Sequence, residues 1–307
     1  MTSPRTVSVV IATVGRDTLR TAVESALRQT MRPVEVIVVL DGECEPDLPD
    51  DDSIVVLRTT GGEGPGRARH LGASSASGEL IALLDDDDTW SPDKLERQLA
   101  AAPDGDEWIM SCRFTSWPAG RPMTFPRNLI GPTAAIYPYM FEFRSMRTGG
   151  SAVQTSTLLF PRAVAERVPI SVTAGSIHDE PLWLHEVRRA YPALPILQLP
   201  ESYVQCGITP GSVSRPATDR TDALIDWGVR ELASEDARVR GDYFLTISVG
   251  AAVSAGSLQG VWRSIAAGTR FGRPGPWAFA YATAALGRIP LRRLRHFIDT
   301  SKRRIER

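Results

Sequence analysis

The sequence predicts the α/β class: a mostly parallel central sheet flanked by helices, with a helical C-terminal appendage. Three observations predict it. Four apolar runs (Val7–Ile11, Val34–Leu40, Ile54–Leu57 and Leu80–Leu84) alternate with helical patterns over the first hundred residues. The last of them, Leu80–Leu84, is uniformly apolar, the pattern of a strand buried on both faces. Beyond about Thr218 the chain turns to Ala- and Leu-rich helical patterns.

The elements follow in order. After the first strand, Asp17 starts a helix with Leu19, Val23, Ala26 and Leu27 on one face, and Pro33 lies beyond its end. The second strand closes on Asp41-Gly42, and an acidic, Pro-containing loop (Glu43–Asp52) leads to the third. The glycine-rich loop Gly61–Gly66 precedes a helix through Ala68, Leu71 and Ala76. After the fourth strand, Ser91-Pro92-Asp93 opens a helix, with Ser91 as N-cap and Pro92 at the first helical position. Repeated β-α-β order argues right-handed crossovers. From Arg113 to Gly150 five prolines interrupt any long element, while Trp117, Tyr137, Tyr139, Phe141 and Phe143 supply aromatic surface. That stretch is either a binding loop over the open side of the sheet or irregular packing. Val153–Phe160 resumes strand character, Pro181–Arg189 is helical, and Ile196–Leu199 is a short strand.

At 307 residues the chain can bury a sizeable core, and 42% hydrophobic with 23% charged residues is the composition of a soluble globular protein. A net charge of -1 gives no electrostatic case for nucleic acid. Cys44, Cys112 and Cys206 are far apart and odd in number, as expected of reduced thiols without a zinc site or disulfide framework. A strand-like run begins within a few residues of Met1, leaving no room for a signal peptide, and no apolar stretch is long enough to span a bilayer. A cytoplasmic location is expected.

The chemistry gathers at the strand ends. Leu80–Leu84 runs directly into Asp85-Asp86-Asp87-Asp88. Adjacent carboxylates repel, and some take up protons unless a cation neutralises them. At the carboxyl end of a parallel strand, where open α/β sheets bind ligands, the run suggests a hard divalent metal. Thr13, Asp41 and Asp85–Asp87 each follow a strand of one sheet and can converge on a single edge, a nucleotide-sugar site. Arg67 and Arg69 open the helix after the glycine loop, where the helix end favours an anion such as a diphosphate.

The segments Val7–Thr13 (VSVVIAT), Val36–Gly42 (VIVVLDG), Ala68–Gly72 (ARHLG) and Leu84–Asp88 (LDDDD) resemble the successive motifs of family 2 glycosyltransferases, whose fold is the nucleotide-diphospho-sugar transferase fold GT-A. The resemblance covers about residues 5–100 and resumes weakly over 150–215. It implies a catalytic domain over 1–215, with a nucleotide-sugar-binding half (1–112) and an acceptor half (113–215), and a helical region over 216–307. It implies that Ala12, Thr13 and Asp41 bind the nucleotide, with Asp41 on the base, and that Arg69 lies near base or diphosphate. It further implies that Asp85 or Asp86 meets the ribose and that Asp87 ligates Mg²⁺ or Mn²⁺. The activity implied is inverting transfer from a nucleotide-diphosphate sugar, UDP-sugar favoured, to a glycan, lipid-linked or small-molecule hydroxyl. Ser176–His185 (SIHDEPLWLH) resembles the family's Glu-Asp motif, which makes Asp179 the general base; it is also a candidate helix N-cap. His178 replaces the usual Glu, His70 the usual Asn, Gly15-Arg16 the Asn after the first strand, and Thr209 a frequent His. The Gln-x-x-Arg-Trp motif of processive polymerases is absent.

Other readings of the acidic run stand beside this one. Asp85-x-Asp87-x-Thr89 matches the nucleophile motif of haloacid-dehalogenase-type phosphatases, though three strand signals precede it. An EF-hand register fails at Trp90 and Pro92. A catalytically inactive nucleotide-sugar-binding protein is the third. Residues 290–307 form a basic amphipathic pattern that can lie on an anionic membrane or pack on its own domain.

Overall fold

β1 (Val7–Thr13) owes its central place to a run of β-branched residues, with Val7, Val9, Val10 and Ile11 all buried. The structure, a computed structural model, describes residues 5–147, 149–170, 177–207 and 219–287. The chain divides into two compact units, Met1–Ile136 with Ser151–Thr209, and Tyr137–Gly150 with Pro210–Arg307. Residues 137–150 thus cluster with the C-terminal helices, not with the sheet their sequence position suggests.

In the first unit, α1 (Leu19–Leu27) buries Leu19, Val23 and Ala26 of the predicted face together with Ala22, while Leu27 stays half-buried. β2 (Glu35–Leu40), β3 (Ile54–Arg58), α2 (Pro65–Ser75) and β4 (Leu80–Asp85) follow. β1 pairs in parallel with both β2 and β4, and β3 pairs in parallel with β2. Helix α2 crosses close to the sheet at Gly72, where a Cβ would fall 2.4 Å from a Val10 methyl. The acidic run then turns through Asp86-Asp87 into β5 (Asp88–Trp90), a short strand that the sequence did not signal. α3 (Lys94–Ala101) begins later than expected: Ser91–Asp93 forms a turn closed by the Lys94 N–H donating to the Ser91 carbonyl at 3.1 Å.

β6 (Ile109–Ser116) and β7 (Met123–Phe125) come next, and after residue 150 a single 3-10 turn (Thr155–Thr157) precedes β8 (Leu159–Pro161). The strand expected over Val153–Phe160 is therefore mostly turn, because the polar Gln154-Thr155-Ser156-Thr157 bonds to itself and to β5. β9 (Ile196–Cys206) is longer than its apolar part, since pairing with β6 and β5 carries it past Pro200. The nine-stranded order is β3-β2-β1-β4-β8-β6-β9-β5, with β7 on β6. This is a mostly parallel sheet flanked by helices, the GT-A arrangement.

The second unit is helical. α4 (Ile136–Phe141) brings Tyr137 and Phe141 against Trp227 of α7 (Thr221–Glu231), with ring centroids 5.8 and 5.7 Å away. Tyr243, at the end of α8 (Ala237–Tyr243), completes the cluster 5.0 Å from Phe141. These aromatics are core, which resolves the choice between binding loop and packing for Tyr137 and Phe141. Fully buried Asp242 accepts from the Arg238 guanidinium and from the Phe143 and Gly275 N–H groups at 2.7–2.9 Å. A π segment (Phe244–Ser248), α9 (Val249–Ser254), α10 (Leu258–Phe271) and α11 (Pro276–Leu286) follow. No helix among the described residues is long and apolar enough to cross a membrane.

One core group in the first unit is chemically unusual. Lys94 is fully buried, its ammonium 4.0 Å from the Trp90 ring centroid and donating to Gln98 at 2.9 Å. Burial pushes it down to about 8, only partly opposed by the Cys112 thiol. Below pH 8 the lysine is charged in both folded and unfolded chains. As pH rises from 8 toward 10.5 the folded chain gives up the proton first, so stability rises with pH. Relative to Lys94→Met, the wild type is expected to gain on the order of 2–3 kcal/mol between pH 7.5 and 10. Urea unfolding of both proteins across that range checks it; a pH-independent difference would refute the buried ammonium.

Candidate functional site

The turn through Asp86-Asp87 between β4 and β5 leaves the four carboxylates in two sets. Asp85 and Asp87 keep 24% and 13% of their side chains exposed, whereas Asp86 keeps 3% and Asp88 is equally hidden. Each inward carboxylate has its own donors. Asp86 accepts from the Thr13 hydroxyl at 2.5 Å and from the Arg16 guanidinium at 2.6 Å. Burial raises its affinity for a proton, and those two donors offset part of the effect. Asp88 accepts from Gln154 and Ser156, each at 2.6 Å, and from the Gly207 N–H at 3.0 Å. Burial again pushes it up, with Asp85 and Asp87 adding repulsion. At Gly207 a Cβ would sit 2.1 Å from the Asp87 carbonyl oxygen, so two backbones touch where only glycine fits.

Of the outward pair, Asp85 meets a buried cation, while Asp87 lies 3.9 Å from the Arg16 guanidinium. Arg69 donates to Asp85 at 2.7 Å, and its guanidinium lies 4.0 Å from the Asp179 carboxylate. Burial alone would lower the Arg69 pKa; Asp85, Glu180 and Asp179 together raise it above its ordinary value. Asp179 is in the first turn of α6 (Asp179–Ala190), which follows α5 (Arg162–Arg167). The N-cap is His178, in the left-handed region at φ 59°, so Asp179 is the first helical residue and not the cap. Trp183, buried and 4.8 Å from the Phe160 ring, anchors α6 and fixes that turn. Glu180 accepts from the buried Thr155 hydroxyl.

Ala12 pairs in register with Val39 on one side and Asp85 on the other, and the Asp41 N–H donates to the Thr13 carbonyl. Ala12, Thr13, Asp41 and Asp85 therefore lie along one sheet edge. Asp41, however, already organises the glycine loop: it accepts from Thr59 and from the Glu63 and Gly64 N–H groups at 2.9 and 2.7 Å. Partial burial raises its pKa, but these bonds prevail and hold it below the usual carboxylate range. Arg67 pairs with Glu63 at the surface. Thr13 and Asp86 brace the turn from inside, and Asp85 is the one of the Asp85–Asp86 pair open to a ligand. Thr209 and residues 290–307 lie outside the described residues.

Sequence reasoning missed Gln154, Ser156 and Gly207 as partners of the acidic run, and named Arg16 only as a substitution. The polar cluster Gln154–Thr157 inside an apolar stretch was the available signal.

For a divalent cation the donor chemistry fits. Asp87 is a partly exposed hard oxygen donor, and Mg²⁺-type ions bind through one or two carboxylates completed by phosphate and water. Among the described residues no group of three or more His, Cys, Asp or Glu forms an all-protein cage. An EF-hand is ruled out by the strand that begins at Asp88.

The sequence profile described as "Glycosyl transferase family 2" matches residues 8–168, just over half of the chain. The chain belongs to glycosyl transferase family 2. Its similarity to the family's curated members is partial. It is 39% identical over 106 residues to the succinoglycan biosynthesis protein ExoO of Rhizobium meliloti, covering 32% of this chain and 30% of that one. It is 33% identical over 99 residues to the UDP-Glc:alpha-D-GlcNAc-diphosphoundecaprenol beta-1,3-glucosyltransferase WfaP of Escherichia coli, covering 30% and 39%. The matched part spans about a third of the length of such relatives. In fold, the chain resembles TarS residues 1–349 of S. aureus solved in complex with UDP-GlcNAc. The TM-score there is 0.53 at 15% identity, over 85% of this chain and 81% of that one. Membership of the family displaces the phosphatase reading of Asp85.

Thr13→Val removes a hydroxyl donor from a buried carboxylate and is expected to destabilise the protein by about 1–3 kcal/mol. Thr13→Ser keeps the donor and should recover most of that loss. Equilibrium urea unfolding of the three proteins checks the bracing role.

Proposed function

We propose that this chain transfers a glycosyl group from a nucleotide-diphosphate sugar, a UDP-sugar, to an acceptor hydroxyl with inversion. One observation carries the reading: Arg69 gathers Asp85, at the end of β4, and Asp179, at the start of α6, onto a single guanidinium. A donor-side carboxylate and a candidate base thereby face one site at the carboxyl ends of parallel strands. WfaP, a glucosyltransferase that uses UDP-Glc and a diphosphoundecaprenol-linked sugar, and the UDP-GlcNAc complex of TarS support a UDP-sugar. WfaP likewise supports a lipid-linked acceptor.

In this proposal Asp85 meets the ribose, Ala12 flanks the nucleotide, and Asp41 contributes its remaining acceptor capacity to the base. Asp87 would hold Mn²⁺ or Mg²⁺, which when bound would supply charge stabilisation for the nucleoside diphosphate leaving group. Asp179 accepts the proton of the acceptor hydroxyl as that oxygen attacks the anomeric carbon from the face opposite the leaving group. The adjacent Arg69 guanidinium, 4.0 Å away, orients it before attack.

Calorimetric titration with UDP, TDP and GDP, with and without Mn²⁺, tests the donor site. Metal-dependent binding of UDP, lost in Asp87→Asn, is expected; failure of all three nucleotides to bind refutes the proposal. Asp179→Asn should bind UDP within a few-fold of wild type and lose transfer by roughly 10²–10⁴-fold. Undiminished transfer by that variant would remove Asp179 from the chemistry.

A further inference from the structure

Helix α11 (Pro276–Leu286) has no charged residue along its length. It buries Ala278, Ala282 and Ala285 on one face. The opposite, solvent-facing arc carries Trp277, Phe279, Ala280, Thr283 and Ala284, with Trp277 47% and Phe279 45% exposed on its two flanks. Its one hydroxyl, on Thr283, donates back to the Phe279 carbonyl at 2.9 Å and offers water little. A surface helix of a globular unit normally presents charge on that side. An exposed arc with aromatic flanks, no charge and an internally satisfied hydroxyl is built for an apolar neighbour.

The following sequence says which neighbour. Residues 288–307 carry eight Lys and Arg against Asp299 and Glu306. A surface that accepts both the apolar arc and this positive charge is an anionic bilayer, with acyl boundary for Trp277 and Phe279 and headgroup charge for the basic run. Eleven residues span about 16 Å, too short to cross a hydrocarbon core of roughly 30 Å, so the helix lies along the interface.

We propose that α11 docks this protein on anionic membrane surfaces through the Trp277–Phe279 arc, with residues 288–307 supplying electrostatic attraction. This docking does not rest on the transfer reading, and its test requires no nucleotide or turnover.

The test is co-sedimentation of the full chain with phosphatidylcholine vesicles containing or lacking phosphatidylglycerol, at about 50 and about 500 mM salt. Expected are binding to the anionic vesicles, weakening at high salt, and at least tenfold weaker binding to phosphatidylcholine alone. The double substitution Trp277→Ser with Phe279→Ser changes only exposed positions and should weaken binding tenfold or more. The triple substitution of Arg292, Arg293 and Arg295 by Gln should weaken it by about 10²-fold at low salt. No binding to anionic vesicles overturns the proposal. Unchanged binding by the Trp277/Phe279 variant also overturns it, since the basic run then acts alone or covers the arc itself. A dimer in sedimentation velocity that dissociates in that variant overturns it in favour of a second copy on this face.

Discussion

Four consecutive carboxylates at the end of a buried strand cannot all stay charged at close quarters without separate means of neutralisation. The turn between β4 and β5 gives the first part of the answer, since it leaves Asp86 and Asp88 buried and Asp85 and Asp87 more accessible. Charge chemistry gives the second. Asp86 receives a hydroxyl and a guanidinium, Asp88 receives neutral donors, and Asp85 receives a buried arginine. Inward carboxylates thus act as structural anchors, and their outward neighbours inherit a turn that is held from behind.

Much of the surrounding architecture follows from satisfying those anchors. The donors for Asp88 come from a 3-10 turn ahead of β8 and from the end of β9, so both segments must reach β5. Gly207 is required because the β9 end passes in backbone contact with Asp87. Arg16 must leave the loop after β1 to reach Asp86, and Gly15, at φ 81°, bends the chain there while donating to Thr13 at 2.9 Å. Beneath Trp90 the buried Lys94 fills space against the ring and binds Gln98, whose amide in turn donates to the Thr157 carbonyl at 2.8 Å. The acidic turn is therefore tied to the 3-10 turn from both sides.

This dependence explains what the sequence could and could not reveal. β1, β2 and β4 were legible because short, β-branched apolar runs favour buried strands, whereas β3 is an edge strand with Val55 and Val56 exposed; the strand-end rule then located Asp41 and Asp85–Asp88. β5 was hidden because Asp88-Thr89-Trp90 becomes a strand only when Cys206, Gln205 and Val204 pair with it. The roles of Gln154 and Ser156 were hidden likewise, since their partner lies more than sixty residues away. Proline spacing suggested loop across 113–150, yet Tyr137 and Phe141 enter an aromatic core whose other members are far along the chain. Propensity sees only neighbours in sequence; each of these misses was decided by a neighbour in space.

Arg69 sets Asp85 apart from the rest of the acidic run, because it shares its charge with a second element. A lysine could neutralise one acid, whereas a planar guanidinium can address Asp85 at 2.7 Å while remaining 4.0 Å from Asp179 and electrostatically coupled to Glu180. Its burial makes that shared field strong, because little water screens it. In the proposed reaction the same cation would hold the ribose carboxylate and orient the base before either meets its substrate. Donor and acceptor sides would then be preorganised through one side chain from α2, a helix whose close seat on the sheet is set by Gly72. The glycine that lets the helix approach and the arginine that reaches the acids are three residues apart, on one face of that helix. Packing and site chemistry are in this way consequences of the same short stretch of sequence.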